Sequence, residues 1–381
     1  MTSTHRLPEN QSAIVQDANG QLQLLHDAVV PELRPHTVLV KVAAVALNPY
    51  DYKLPLYFPF PGTTGGSDFV GTVVGIGAQA ARDRPDLSLG DLVSGCVYGW
   101  HPETPENGSF AQYVRADAQL VFRVGSYKLE DAATFNAAFA TLCLALWHSE
   151  GLELAHSPAH PLRNASSQSS YVFVYGGSTA TGTMALQLLK FFNMYLLTRF
   201  GRLRSGYSTI ASCSPRSFDL VRSYGADHVF DYLNPETSSA IRKLTEGALS
   251  LVLDCISDHH SIAVCHGSIG RLGGRLVVLE VPPEPRPGEK RRKAVKQFFV
   301  DGHEVFGVGV PIDSPGYRRL PSPEKHEFAT KKALEFQELI DGSKLHAHPV
   351  DIIDGGLEKI PSALQMLKAG VSGKKLVLRI S

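Results

Sequence analysis

Between residues 171 and 279 short apolar runs alternate with helix-forming segments, at 171–175 (YVFVY), 210–212, 228–231, 249–254 and 275–279. Strands separated by helical stretches predict a parallel sheet covered by helices on both faces, a doubly wound α/β arrangement. Where the first strand gives way to the first helix stands VYGGSTATGTMALQLL (174–189), rich in small and hydroxyl residues and without a charge. In such a strand–turn–helix unit, glycines let the backbone turn tightly and approach a pyrophosphate, while the helix N-terminus offers unpaired N–H groups to the negative charge. Gly176, Gly177 and Gly182 suit that role, and Ser178, Thr179 and Thr181, around Ala180, add hydroxyl donors. The spacing departs from GxGxxG, and a glycine turn before a helix also occurs as plain punctuation. The βαβ setting favours a dinucleotide site.

The end of the next strand discriminates between dinucleotides. NAD calls for an Asp or Glu there to bind the ribose 2′-hydroxyl, whereas a 2′-phosphate calls for donors and a cation. The chain supplies ASCSPRSFDL (211–220), with Ser214, Pro215, Arg216 and Ser217 and no carboxylate before Asp219. NADPH is therefore expected. Ser-Pro is also an ordinary helix start, but capping requires no Arg.

The first 125 residues have a different rhythm, with β-type runs such as 37–45 (TVLVKVAAV) and 70–76 (VGTVVGI) punctuated by Gly, Pro and Asn, which predicts a barrel-like β unit. A helical stretch at 131–147 follows, then a Pro- and Ser-rich break at 156–170 that marks a domain boundary. The chain ends in a strand at 375–380 (KLVLRI), which is expected to return to the first domain, and PPEPRPGEKRRK (282–293) reads as a solvated connection. The length of 381 residues accommodates two domains, at about 100 to 200 residues each. Lys plus Arg and Asp plus Glu number 37 each, so no global field favours nucleic acid or an anionic membrane, and a small molecule is the expected partner. Cys96, Cys143, Cys213, Cys255 and Cys265 have no CxxC spacing, which argues against a disulfide framework or a four-thiolate zinc and for inert thiols in a reducing compartment. With no apolar leader and no run of about 18 apolar residues, a cytoplasmic protein is expected.

The series NPYDYK (48–53), GSDFVGTVVGIG (66–77), VYGGSTATGT (174–183), CSPRSFDL (213–220), YGADHVFDY (224–232), LDCIS (253–257) and SGKKLVLRI (372–380) resembles the medium-chain dehydrogenase/reductase superfamily. Within it, the chain is most similar to the stand-alone enoyl reductases that act in trans on fungal highly reducing polyketide synthases, the lovastatin-type group. The resemblance implies a GroES-like β-barrel catalytic domain over 1–160, a Rossmann NADPH-binding domain over 161–300 and a return to the catalytic domain over 301–381. It implies that Tyr50, Asp51, Tyr52 and Lys53 contact the nicotinamide side, with Lys53 a donor near the ribose or the substrate carbonyl. Ser178 to Thr181 would hold the pyrophosphate, Ser214 to Ser217 the 2′-phosphate, and Tyr232 would pack by the adenosine. Leu279, Glu280, Ser372 and Gly373 would close over the cofactor. The acyl pocket would be lined by Thr141, Leu142, Cys143, Leu144, Ala145, Leu146, Trp147 and His148, and by His303, Glu304, Val305, Phe306 and Gly307.

Zinc alcohol dehydrogenases of the superfamily carry a Cys near the NPYD position, a His-Glu pair where this chain has Ser67-Asp68, and a four-cysteine lobe; no metal is expected here. The implied reaction is hydride transfer from NADPH to the β-carbon of an enoyl thioester, presented on the acyl carrier of a partner polyketide synthase to a monomeric enzyme. Candidate donors to the enolate oxygen are Lys53, Tyr50, Tyr52 and backbone N–H groups. A zinc-free quinone or enone reductase acting on free molecules, and an idle NADPH-binding relative, remain as alternatives. One stretch departs from the family: FFNMYLLTRFGRLRSGYSTIASC (191–213) carries about a dozen residues beyond the usual short connection. These form either a longer helix with a basic end or a translated intron.

Overall fold

The computed structural model describes residues 7–155, 157, 170–194, 207–287 and 291–380. The extra residues after the first Rossmann helix and most of the 156–170 break lie outside that set. Packing divides the chain into two units, one spanning Met1–Ala137, Phe306–Ser314 and Arg318–Ser381, the other Ala138–Val305 and Pro315–Tyr317.

The first unit opens with an antiparallel pair, β1 (Asn10–Gln16) and β2 (Leu22–Val29). Its main sheet is built from β3 (Thr37–Ala46), β4 (Asp68–Ile76), β5 (Leu92–Cys96), β6 (Tyr113–Asp117) and β7 (Val121–Arg123), all paired antiparallel. β3 shows why a simple alternation does not appear in its sequence. Of TVLVKVAAVA only Lys41 is exposed, because the strand is covered on both faces. Ala44, Ala46, Val70 and Val124 form one core cluster with Ala132 and Ala133.

The second unit holds a parallel sheet of β8 (Tyr171–Tyr175), β9 (Ser208–Cys213), β10 (His228–Asp231), β11 (Leu251–Asp254), β12 (Gly274–Val278) and β13 (Val295–Phe299). The strand order is β10-β9-β8-β11-β12-β13. Parallel neighbours need a crossover, and the helices Ala180–Met194, Phe218–Ser223, Thr237–Leu244 and His259–Ser268 follow the first four strands in turn. Val172, Phe173, Val174, Val252, Leu253, Leu276, Val277 and Val278 have no accessible surface, which is why these strands read as continuous apolar runs. The order reverses between β8 and β11, so the crevice beyond their carboxyl ends is where this topology receives a ligand.

The chain then re-enters the first unit through the helix Pro323–Asp341, β14 (Val350–Ile353) and β15 (Lys375–Arg379). β15 pairs antiparallel with β3. Leu129–Trp147 is the one helical stretch among the described residues long and apolar enough to cross a bilayer, and 78% of that window is buried inside the protein.

Candidate active site

The glycine turn stands at the carboxyl end of β8. Gly176 adopts φ +77°, and the N–H groups of Gly176 and Gly177 both donate to the Ser212 carbonyl, at 3.1 and 2.9 Å, tying the turn to β9. Thr179 Oγ1 donates to the Gly176 carbonyl at 2.9 Å and accepts the Gly182 N–H at 2.9 Å, so it caps the helix Ala180–Met194 from within the turn. The N–H groups of Ser178, Ala180 and Thr181 have no hydrogen-bond partner among the described residues. They add to the positive end of a fifteen-residue helix with no acidic side chain in its first turn. A cradle of unpaired N–H groups at a helix start fits a pyrophosphate.

At the end of β9, Ser214 leads into a short 3₁₀ turn, Pro215–Ser217, with its Oγ 3.4 Å from Ser217 Oγ. Arg216 is exposed, and its guanidinium has no partner among the described residues. Asp219, the nearest acid downstream, is paired instead with Arg222 at 3.2 Å. Tyr232 donates its N–H to the Cys213 carbonyl at 3.3 Å, which places it beside this turn. Its ring lies between Tyr175 and His260, at centroid distances of 6.3 and 6.4 Å. The structure therefore brings Ser214, Arg216, Ser217 and Tyr232 into one corner, as donors, a cation and an aromatic face.

Leu279 and Glu280 follow β12. The Leu279 N–H donates to Ser257 Oγ at 2.9 Å, and Glu280 Oε1 accepts from the Tyr317 hydroxyl at 2.6 Å. Ser257 has φ +68°, in the left-handed region that non-glycine residues seldom enter. It is held there by buried Asp254, whose Oδ1 accepts the N–H groups of Ile256 and Ser257 at 2.9 Å each and whose Oδ2 accepts Ser261 Oγ at 2.6 Å. Burial pushes the Asp254 carboxyl up to about 6 against the pull of those hydrogen bonds. Asp254 and Ser257 were assigned no role from sequence. The signal was the LDCIS motif itself, an Asp ending a strand three residues before a Ser.

The stretch expected to line the acyl pocket divides in two. Cys143–Trp147 forms a π-helical turn continuing the helix Asn136–Leu142. Leu142, Cys143, Ala145 and Leu146 have no accessible surface, Leu144 keeps 2%, and His148 is buried as well. Thr141 and Trp147 alone in the stretch retain partial exposure, so these two can present a surface to a ligand in this conformation. The second segment, His303 to Gly307, begins in the 3₁₀ turn Gly302–Phe306, and a Cβ on Gly302, just before it, would meet Thr141 Oγ1 at 2.7 Å. His303 Nδ1 lies 2.8 Å from Asp301 Oδ1, while Glu304 and Val305 are buried. Phe306 and Gly307 belong to the first unit, where the Phe306 ring is 6.5 Å from Tyr98.

Also in the first unit, NPYDYK forms the start of the helix Pro49–Tyr57. Tyr50 packs edge-on to Tyr98 at 6.3 Å and points its hydroxyl at the Gly99 carbonyl, 3.5 Å away. Tyr52 and Lys53 are partly exposed. Asp51 is not: it has no accessible surface, so it offers no atom to a cofactor, contrary to the expectation for this loop. Ser372 is exposed and Gly373, at φ +66°, leads into β15. Asp68, at the position where zinc enzymes carry Glu, accepts the Lys375 ammonium at 2.7 Å, and among the described residues no group of three or more His, Cys, Asp or Glu is arranged to hold a metal.

A doubly wound sheet with a glycine turn at its switch point, joined in one chain to a unit built on a mainly antiparallel sheet, defines a medium-chain dehydrogenase/reductase. Residues 34–126 match the alcohol dehydrogenase GroES-like domain. Over 387 residues the chain is 42% identical to trans-enoyl reductase TwmE of Talaromyces wortmannii, covering 99% of each protein. It is 38% identical over 391 residues to trans-enoyl reductase mycC of Thermothelomyces thermophilus, covering all of both. In fold it is similar to an alcohol dehydrogenase superfamily protein from Novosphingobium aromaticivorans (TM-score 0.72, 20% identity, 98% and 100% of the two chains) and to the CurK enoyl reductase (TM-score 0.70, 16% identity, 98% and 100%). The chain belongs to the trans-enoyl reductase family, and it is an oxidoreductase.

Proposed function

We propose that this protein uses NADPH to reduce the α,β-double bond of an enoyl thioester carried by a partner polyketide synthase, acting as a cytoplasmic monomer. The observation that carries the cofactor choice is the β9 turn, where exposed Arg216 and the paired hydroxyls of Ser214 and Ser217 stand in place of a carboxylate. Full-length similarity to named trans-enoyl reductases supports the reaction and the kind of partner.

Bound NADPH supplies the hydride that adds to the β-carbon. The chain would hold the pyrophosphate on the N–H groups of Ser178, Ala180 and Thr181, the 2′-phosphate on Ser214, Arg216 and Ser217, and the adenosine against Tyr232. Negative charge then develops on the thioester oxygen, and a fixed donor stabilises it more in the transition state than in the ground state. Lys53 is the residue assigned to that oxygen, with Tyr50 and Tyr52 on the same helix as further donors. Positioning and electrostatics carry the rate, and water supplies the α-proton.

The test is NADPH oxidation with 2-enoyl thioesters on pantetheine and on an acyl carrier protein, compared with NADH and with free quinones and enones. Turnover of the thioesters with preference for NADPH is expected. Equal use of both nucleotides, or turnover confined to free quinones or enones, would overturn the reading.

A further inference from the structure

Asp51 neighbours Tyr50 and Tyr52 on the helix Pro49–Tyr57, yet it is fully buried. Its Oδ2 accepts the Asn48 N–H at 2.7 Å, and its Oδ1 has no hydrogen-bond partner among the described residues. Ser67 is close enough for its hydroxyl to bias the carboxyl, but Ser67 Oγ makes no hydrogen bond of normal geometry among the described residues either. Among the described residues two ionisable groups act on this carboxyl, and a third lies beside one of them. Asp68 comes from β4, Lys375 from β15, and His348, close to Lys375, from the segment before β14. The Lys375 ammonium is engaged elsewhere, at 2.7 Å from Asp68 Oδ2 and 2.9 Å from Asn48 Oδ1. Asp68 also accepts the Asn48 side-chain amide at 3.0 Å and the Ala137 N–H at 2.6 Å. Burial, and then Lys375, push His348 down to about 4, so it adds no charge near neutrality.

Asp68 and Lys375 therefore cancel, and an ionised Asp51 would be an uncompensated charge in a fully buried site. Such a charge costs far more than a neutral carboxyl. Burial accordingly raises Asp51 to about 7; Asp68 adds to the rise, and the Asn48 N–H, Lys375 and Ser67 oppose it.

We propose that Asp51 is a positioning residue whose neutral carboxyl seats the first turn of its helix, and with it Tyr50 and Lys53, on the buried knot of Asn48, Asp68 and Lys375. The inference rests on the reading above that this helix serves the reaction. Ionisation of Asp51 draws the helix start towards water and loosens the seat, so the two side chains lose their placement without being altered themselves.

The test uses the full-length protein with Asp51→Asn, which keeps the shape and stays uncharged at every pH, and Asp51→Ala, which also removes the acceptor for the Asn48 N–H. With NADPH and a 2-enoyl pantetheine thioester, wild-type kcat/KM is expected to fall about tenfold between pH 6.5 and pH 8, following the loss of the neutral form. Asp51→Asn is expected to stay within about threefold of wild type at pH 6.5 and to lack that fall, with Asp51→Ala slowed at every pH. Thermal unfolding is the second readout. A carboxyl raised by folding keeps its proton in the folded protein while the unfolded chain has lost it, between about pH 4 and pH 7. Stability contributed by that proton is therefore lost as pH rises through that window, so the wild-type midpoint drops relative to Asp51→Asn and the gap levels off above it. Parallel profiles for wild type and Asp51→Asn in both readouts overturn the proposal. A protein that turns over no thioester at any pH but shows the widening midpoint gap supports the seat and overturns the assigned reaction.

Discussion

Gly182 is pressed so closely on Gly176 that a Cβ added to it would stand 2.3 Å from the Gly176 carbonyl oxygen. That contact sets the helix start against the glycine turn at the end of β8. On an open helix, Gly→Ala stabilises by up to about 1 kcal/mol. Here the methyl group meets backbone, so Gly182→Ala should destabilise by about 1 to 3 kcal/mol, as overpacking does. It should also weaken NADPH binding, and thermal unfolding with a fluorescence titration would check both. A more stable variant with intact binding would show that the contact is not needed.

Arg216→Ala removes the cation of the β9 turn. NADPH binding should weaken by about 1.5 to 3 kcal/mol, the range for a hydrogen bond to a charged group, and NADH binding should change little. Equal losses in parallel titrations would contradict the assignment to the 2′-phosphate.

Leu144 and Thr141 lie three residues apart and should behave differently. Leu144 keeps 2% of its surface, so Leu144→Trp should destabilise the fold by about 1 to 3 kcal/mol or more and slow short and long substrates alike. Thr141 is partly exposed beside Gly302, so Thr141→Trp should shorten the longest enoyl chain accepted while NADPH affinity holds. Kinetics on four-carbon to ten-carbon enoyl thioesters would separate the two. A uniform loss for Thr141→Trp would remove that residue from the pocket.

Lys375 joins β15 to Asp68 of β4 in a buried pair. Lys375→Met leaves Asp68 without its cation and should cost about 3 to 5 kcal/mol in denaturant unfolding. Asp68→Asn combined with Lys375→Met should recover much of that loss, because no uncompensated charge remains. Strictly additive losses would mean that the two side chains are not coupled.

Much of the nucleotide half was legible in the chain because its signals are local. VYGGSTATGT reports a strand, a turn and a helix within ten residues, and the structure shows Gly176 and Gly182 in the close approach that such a unit needs. CSPRS could likewise be read as a turn carrying donors and a cation, since both the turn and the missing carboxylate lie within one short segment. In the pocket stretch and the NPYDYK loop, apolar character and motif position were not enough. Leu142, Leu144 and Leu146 are core, and Asp51 faces inward.

By itself, then, the sequence determined the parallel sheet, the glycine turn and the chemistry at the end of β9, because each depends on residues adjacent in the chain. Tertiary structure decided which faces of the helices carrying Tyr50 to Lys53 and Thr141 to Trp147 meet the interior. Successive residues on a helix point about 100° apart, so neighbours such as Asp51 and Tyr52 part company. Which one is buried depends on partners as remote as Asp68 and Lys375, whose approach to Asn48 no local pattern encodes.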